Sequence, residues 1–69
     1  MPPGIQTNHR GLTERNEVFC HHYVRTWNAR TAAEVAGLSH LTGRTLLQKP
    51  RIQARIRELN AAMLKASDI

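Results

Sequence analysis

The sequence has a single cysteine, Cys20, and no long hydrophobic run. One thiol cannot form a disulfide within the chain, and it cannot supply the ligands of a cysteine-based zinc site. No stretch approaches the roughly 18 apolar residues that a transmembrane helix needs, and the N-terminal MPPGIQTNHRG lacks the apolar segment of a signal peptide. We therefore expect a cytoplasmic protein with no membrane partner.

Acidic residues are also scarce. Five Asp and Glu residues stand against ten Lys and Arg, which gives a formal net charge of +5 at pH 7. The scattered carboxylates offer no convincing pair for acid and base catalysis and no magnesium cluster. The excess of positive charge instead favours a polyanionic partner. A chain of 69 residues forms at most one small domain with a modest core.

Cys20, His21 and His22 are the remaining candidates for catalysis or metal binding. Adjacent residues on a helix point about 100° apart, so these side chains cannot converge on one ion. They do not form a nucleophilic dyad, because no third group and no Gly-rich oxyanion turn accompanies them. We expect Cys20 to be a small core thiol, and the protein to be a non-enzyme with no cofactor and no metal.

The stretch 29–48 has the pattern of a helix-turn-helix. Its first helix would carry a face of small apolar residues that a second helix can approach closely, formed by Ala32, Ala33, Val35 and Ala36. Gly37 then tolerates the positive φ of a sharp turn, Leu38 would plug the corner, and Ser39 would cap the next helix. That helix, from His40 to about Gln48, would be held down by Leu41, Leu46 and Leu47. An ordinary helical hairpin in a bundle is the alternative.

In a helix-turn-helix the second helix enters the DNA major groove with its first turns facing the base edges. The candidates for base contacts are the hydrogen-bonding residues Ser39, His40, Thr42, Arg44, Thr45 and Gln48. Arg44 is the best candidate for a guanine edge. The candidates for phosphate contacts are the cationic residues Arg30, Lys49, Arg51 and Arg55. Gly43 is unexpected inside this helix, because glycine costs about 1 kcal/mol relative to alanine there, and it predicts a short or easily frayed helix.

Two further helices flank this unit. Thr13 is the N-cap candidate of a first helix whose packing face would be formed by Val18, Phe19, His22, Tyr23 and Trp27. Asn28 would cap the second helix. Pro50 would begin a fourth helix, reaching about Lys65, with an apolar seam of Ile52, Ile56, Leu59 and Met63 that packs within the domain or on another copy. The predicted fold is all-α: a small four-helix domain over 12–66, after a flexible arm over 1–11 and before a frayed end over 67–69.

Three segments, in this order, resemble the N-terminal DNA-binding domain of the small terminase subunits of tailed bacteriophages. They are Leu12-Thr13-Glu14 with Phe19 and Tyr23; Asn28-Ala29, Ala32-Ala33 and Ala36-Gly37-Leu38-Ser39; and Leu46-Leu47 with Pro50, Ile52-Gln53-Ala54-Arg55-Ile56 and Glu58-Leu59. The resemblance implies a role in viral genome packaging. In that role the small subunit recognises the packaging-initiation site on double-stranded DNA and presents it to the large terminase subunit, the ATPase and nuclease. It also implies a homo-oligomer, assembled through residues beyond this chain, in the infected bacterial host cytoplasm.

Two other functions remain open from the sequence. A small phage or bacterial transcriptional regulator would use the same helix-turn-helix as a dimer on a palindromic pair of half-sites. A helical protein-interaction module would dock on a partner through the seam from Ile52 to Met63, with the charge serving only solubility. A strict dimer in solution would favour the regulator, and absence of DNA binding at low salt would favour the interaction module.

Overall fold

The computed structural model describes residues 11–67, with side chains described as far as Lys65. These residues form four helices and no strand: α1 Glu14–Thr26, α2 Ala29–Val35, α3 His40–Leu46 and α4 Pro50–Ser67. The predicted all-α, four-helix fold is confirmed. The predicted arm and frayed end lie outside the described residues except at Gly11 and Ser67, and Ser67 belongs to α4.

Three of these helices begin at the side-chain caps that the sequence predicts. In each, a side-chain oxygen accepts a hydrogen bond from the backbone N–H three residues further along, which satisfies one of the free donors that open a helix. The capping distances are 3.1 Å from Thr13 to Asn16, 3.2 Å from Asn28 to Thr31 and 3.1 Å from Ser39 to Thr42. Pro50 is the first residue of α4, a position where the missing backbone N–H costs nothing.

The ends of α1 and α2 turn the chain sharply through left-handed backbone conformations. Gly37 has a φ of 76°, as predicted, and the N–H of Leu38 donates to the Ala33 carbonyl oxygen at 2.8 Å. Trp27 ends α1 with a φ of 53°. The prediction that Trp27 lies on the packing face of α1 is wrong: its side chain is 55% exposed and meets the ring of Tyr23 edge-on, because the left-handed cap carries it off the helical face.

The core lies where α1 packs against α2 and α4. Phe19 is fully buried at its centre and stacks on Tyr23 with ring centroids 5.8 Å apart. The other members of this cluster are mostly small or aliphatic: Leu12, Cys20, Ala32, Ala33, Ala36, Leu46 and Ile52. The prediction that Val35 shares the small-residue face of α2 is wrong, since it points about 100° from Ala36 and is 51% exposed. The buried face of α2 is formed by Ala32, Ala33 and Ala36.

α3 approaches the backbone of α2 closely at Gly43, which is buried. A Cβ atom built on Gly43 would lie 2.8 Å from the Ala33 Cβ, 3.2 Å from the Ala29 carbonyl oxygen and 3.2 Å from the Phe19 ring. Real Cβ atoms essentially never come within 3.0 Å of another heavy atom, and 3.2 Å is tighter than most of their contacts. Glycine therefore permits the packing of α3 on α2, and its cost in helix propensity is offset by that contact.

The seam of α4 is buried only toward its N-terminal end. Ile52 is buried, and Ile56 and Leu59 are partly buried against the core. Met63 is 41% exposed. The first three members of the seam thus pack within the domain, the first of the two predicted alternatives, and burial decreases toward Met63.

Cys20 is a core thiol, as predicted, with no exposed surface. Burial raises the pKa of this thiol from 9.0 to about 11, and the nearby Glu17 carboxylate acts in the same direction while Arg55 opposes it. The neutral thiol is thus the form that the core accommodates.

We expect Gly43→Ala to lower the free energy of unfolding by about 1–2 kcal/mol, because the steric cost of overpacking exceeds the gain in helix propensity. Urea titration measures this change. Asparagine distinguishes a glycine needed for its positive φ from one needed for lack of space. It tolerates the left-handed conformation of Gly37, where nothing lies within 4 Å of an added Cβ. Gly37→Asn should therefore lower the free energy of unfolding less than Gly43→Asn. A more stable Gly43→Ala protein would contradict the close approach.

The raised pKa of Cys20 predicts a pH dependence of stability. The unfolded thiol loses its proton near pH 9.0, whereas the folded thiol keeps it to about pH 11, so ionisation favours the unfolded state between these values. The free energy of unfolding of the wild type should therefore fall relative to that of Cys20→Ala over this range. Equal pH profiles for the two proteins would show that the core accepts the thiolate.

Candidate nucleic-acid interface

α3 has one face toward the core and the opposite face toward solvent. Gly43 and Leu46 are its buried residues. Because successive residues lie about 100° apart around a helix, the direction opposite these two falls on Leu41, with Arg44 and Thr45 on either side. We define the outer face of α3 as the exposed residues His40, Leu41, Arg44 and Thr45, together with Gln48 in the turn that follows.

Three of the six predicted base-contact residues use their hydroxyl groups within the protein. Ser39 Oγ accepts from the N–H of Thr42 and lies 2.9 Å from the Thr42 hydroxyl oxygen. The Thr45 hydroxyl donates to the Leu41 carbonyl oxygen at 3.1 Å. These bonds cap and stiffen α3, and they leave the three hydroxyls with less capacity to bind a base edge.

The other three candidates, His40, Arg44 and Gln48, have polar groups that are not engaged within the described residues. Their side chains make no hydrogen bond or ion pair with any residue in 11–67, and all three are exposed. An arginine offers a planar fork of donors, whereas an amide or an imidazole can both donate and accept. The structure brings these side chains to one side of α3; their contacts with DNA stay a prediction.

Leu41 also belongs to the outer face, against our expectation. The sequence analysis gave it the task of holding α3 on the core, and this is wrong because its side chain is 65% exposed. Leu41 and Leu46 are five positions apart, which places them about 140° apart around the helix, so they cannot share a face. That spacing was the signal in the sequence that could have identified Leu41 as outward-facing.

Lys49 and Arg51 lie where α3 gives way to α4. Both are exposed, and they line an open cleft of about 380 Å³ together with Asn16. The guanidinium of Arg51 lies over the backbone of Gly11, where an added Cβ would come within 2.7 Å of Nη1. Arg51 is thus held against the start of the domain while keeping its charge exposed.

The remaining two phosphate candidates are ion-paired. Arg30 pairs with Glu34 at 3.4 Å on the surface, an arrangement that contributes little and exchanges readily. Arg55 is only 15% exposed: its Nε and Nη2 both lie 2.6 Å from Glu17 Oε1, and its Nη1 lies 3.3 Å from Glu58 Oε2. Arg55 therefore ties α4 to α1, and a phosphate contact would have to displace carboxylates that already satisfy it.

Charge is segregated along the chain. No acidic residue occurs between Glu34 and Glu58, a stretch that includes all of α3 and the first half of α4. The basic residues of this stretch are Arg44, Lys49, Arg51, Arg55 and Arg57. A polyanion that approaches α3 and the turn after it therefore meets a stretch of chain whose only charged side chains are basic.

Neither metal ligation nor membrane insertion is suggested by the part of the chain that the structure describes. Cys20 points into the core, whereas His21 is exposed and lies 3.5 Å from Glu17 Oε1. Over residues 11–67, no three His, Cys, Asp or Glu side chains come together where they could hold a metal ion. None of the four described helices combines the length and the apolar character required to cross a bilayer.

Comparison with known proteins relates the chain to one family. The family model described as terminase small subunit matches residues 12–69. The PBSX phage terminase small subunit of Bacillus subtilis (strain 168) is 38% identical over 61 residues, an alignment that covers 83% of this chain and 23% of that protein. The chain therefore spans less than a quarter of the length of this curated relative. No solved structure matches.

The geometry around Arg55 predicts a loss of stability on Arg55→Gln of about 1–3 kcal/mol, because the partly buried carboxylate of Glu17 would lose the charged hydrogen bonds of the guanidinium. Urea titration of Arg55→Gln, Glu17→Gln and the double variant measures the coupling between the two residues. Arg57→Gln is the matched control on the exposed side of α4. Additive effects of the two single changes would mean that the ion pair does not join α1 to α4.

Proposed function

This chain belongs to the terminase small subunit family, and from that premise we propose that it binds double-stranded DNA in viral genome packaging. It would recognise the packaging-initiation site, and the assembled small subunit would present that site to the large terminase subunit. The ATPase and nuclease chemistry would belong to the large subunit, and this chain would contribute binding without catalysis. The contact with the large subunit is proposed for the whole protein and is assigned to none of the described residues.

The observation that carries the proposal is the outer face of α3. Its free donors, on His40, Arg44 and Gln48, project from a helix whose opposite side is filled by the contact with α2. A helix of this diameter fits the major groove of B-form DNA, where each base pair presents a distinct pattern of donors and acceptors. We therefore interpret α2, the turn at Gly37 and α3 as a helix-turn-helix with α3 as the recognition helix.

The polar residues of this unit take different roles in the proposal. Arg44 would donate both arms of its guanidinium to a guanine O6 and N7, and His40 and Gln48 would contact neighbouring base edges. The hydroxyl residues that cap and stiffen α3 would hold the helix in shape and add secondary contacts: Ser39, Thr42 and Thr45.

Phosphate contacts would come from Lys49 and Arg51, whose charges are exposed just beyond α3. Arg30 would join them by exchanging its surface pair with Glu34 for a phosphate. Arg55 lies outside the proposed phosphate contacts, because its guanidinium is bound by Glu17 and Glu58. These residues would fix the position of the protein on the duplex without reading its sequence.

Few phosphate contacts imply weak binding by a single copy. Each neutralised phosphate steepens the dependence of log K on log salt by about 0.9, and roughly three contacts leave much of the affinity vulnerable to salt. Linked copies raise affinity through effective concentration without any new kind of contact. A homo-oligomer is therefore part of the proposal, since packaging requires a stable hold on one site.

The test is a titration of fluorescent duplex DNA at several salt concentrations with the wild type, Arg44→Ala and Arg51→Ala. The duplex is one selected by the wild type from a randomised pool, with a scrambled duplex for comparison. Arg44→Ala should lose about 1–3 kcal/mol on the selected duplex and discriminate less against the scrambled one, whereas Arg51→Ala should weaken both duplexes and reduce the salt slope by about 1.

Arg57→Ala, which changes an exposed arginine outside the proposed interface, is the matched control and should leave sequence discrimination unchanged. If the wild type bound no duplex even at low salt, α2 and α3 would be a structural hairpin and an interaction module would be the better interpretation. A strict dimer that bound a palindrome would instead favour a transcriptional regulator.

A further inference from the structure

We propose that Leu41 contacts the 5-methyl group of thymine when α3 lies in the major groove, and so helps to determine which DNA sequence the protein prefers. This inference rests on the proposed function, because it requires DNA bound along the outer face of α3. It adds an apolar contact to an interface that was otherwise predicted from hydrogen-bonding residues alone.

The first argument is position. Leu41 lies directly opposite the buried pair Gly43 and Leu46, so it occupies the centre of the outer face. Arg44 and Thr45 lie one turn further along α3 on either side of the same direction. A groove deep enough for Arg44 to reach a base edge therefore also receives the Leu41 side chain.

The second argument is what the fold does with Leu41. The side chain is 65% exposed, so it adds little to the core, and no part of the packing of α3 on α2 requires it. Next to it, Thr45 uses its one hydroxyl donor on the Leu41 carbonyl oxygen at 3.1 Å, so its side chain can only accept hydrogen bonds and offer its methyl group. The two residues together give the outer face an apolar strip beside Arg44.

The third argument is the chemistry of the partner. Thymine is the base that presents a methyl group in the major groove, and apolar side chains contact it there. The strip lies beside Arg44 on α3, and Lys49 and Arg51 follow it along the chain in a stretch that lacks acidic residues. An apolar protein surface docking on Leu41 would have to cover these cations without pairing them, whereas a DNA groove offers a methyl group and phosphates at once.

The experiment removes the methyl group and nothing else. The duplex selected by the wild type is synthesised again with deoxyuridine in place of thymidine, one position at a time. Dissociation constants are measured by fluorescence anisotropy for the wild type, Leu41→Ala, Leu41→Gln and Leu64→Ala. Leu64 is the matched control, because it is 64% exposed, nearly the same as Leu41, but lies on α4.

At one or two thymines, loss of the methyl group should weaken binding by the wild type and by Leu64→Ala about three- to tenfold. Leu41→Ala and Leu41→Gln should bind the thymidine duplex more weakly than the wild type and should no longer distinguish it from the deoxyuridine duplex. Thermal melting followed by circular dichroism checks folding, and Leu41→Gln provides a second variant that keeps the size of the side chain.

Two results would overturn the inference while leaving the proposed function intact. One is wild-type binding that depends on Arg44 but on no thymine methyl group. The other is a methyl dependence that persists in both Leu41 variants. Failure of the wild type to bind any duplex would remove the proposed function and this inference together.

Discussion

The packing of α3 on α2 depends on the absence of a side chain at Gly43. The space that a Cβ would need there is taken by the Ala33 methyl group, the Ala29 carbonyl oxygen and the Phe19 ring. A chain with few large apolar residues can thereby fix a short helix with one buried leucine, Leu46. The same contact determines which residues of α3 face solvent, so the composition of the candidate interface follows from a steric constraint on its opposite side.

The arginines of this chain have different roles because their neighbours differ. Arg55 is closed in by carboxylates from α1 and α4 and joins the two helices, whereas Arg44 projects from α3 without an internal partner among the described residues. Arg51 lies between these cases, with its guanidinium over the backbone of Gly11 and the residue still exposed. The excess of basic residues predicts a negatively charged partner. The positions of Glu17, Glu34 and Glu58 determine which arginines are already ion-paired within the protein.

Features that depend on a few neighbouring residues could be predicted from the sequence. The three N-caps, the positive φ of Gly37 and the start of α4 at Pro50 are of this kind. The ion pair of Arg55 with Glu17 depends on packing between α1 and α4, which no local pattern reveals, whereas the exposure of Trp27 follows from the left-handed conformation that ends α1. Gly43 was interpreted from helix propensity alone, although its role comes from α2. Leu41 is different, because helical periodicity already separates it from Leu46. The base-contact candidates could be named from the sequence. The hydrogen bonds that Ser39, Thr42 and Thr45 make within α3 could not.

The division of α3 into a packed face and an outer face has an evolutionary consequence. Gly43 and Leu46 hold the helix in place, so exchanges at His40, Leu41, Arg44 or Gln48 alter a surface without disturbing the core. Surface substitutions away from special contacts usually change stability by no more than about 0.5 kcal/mol. Variants with new outer faces would therefore remain folded while their preferred ligand shifted, and related chains could diverge in recognition faster than in architecture.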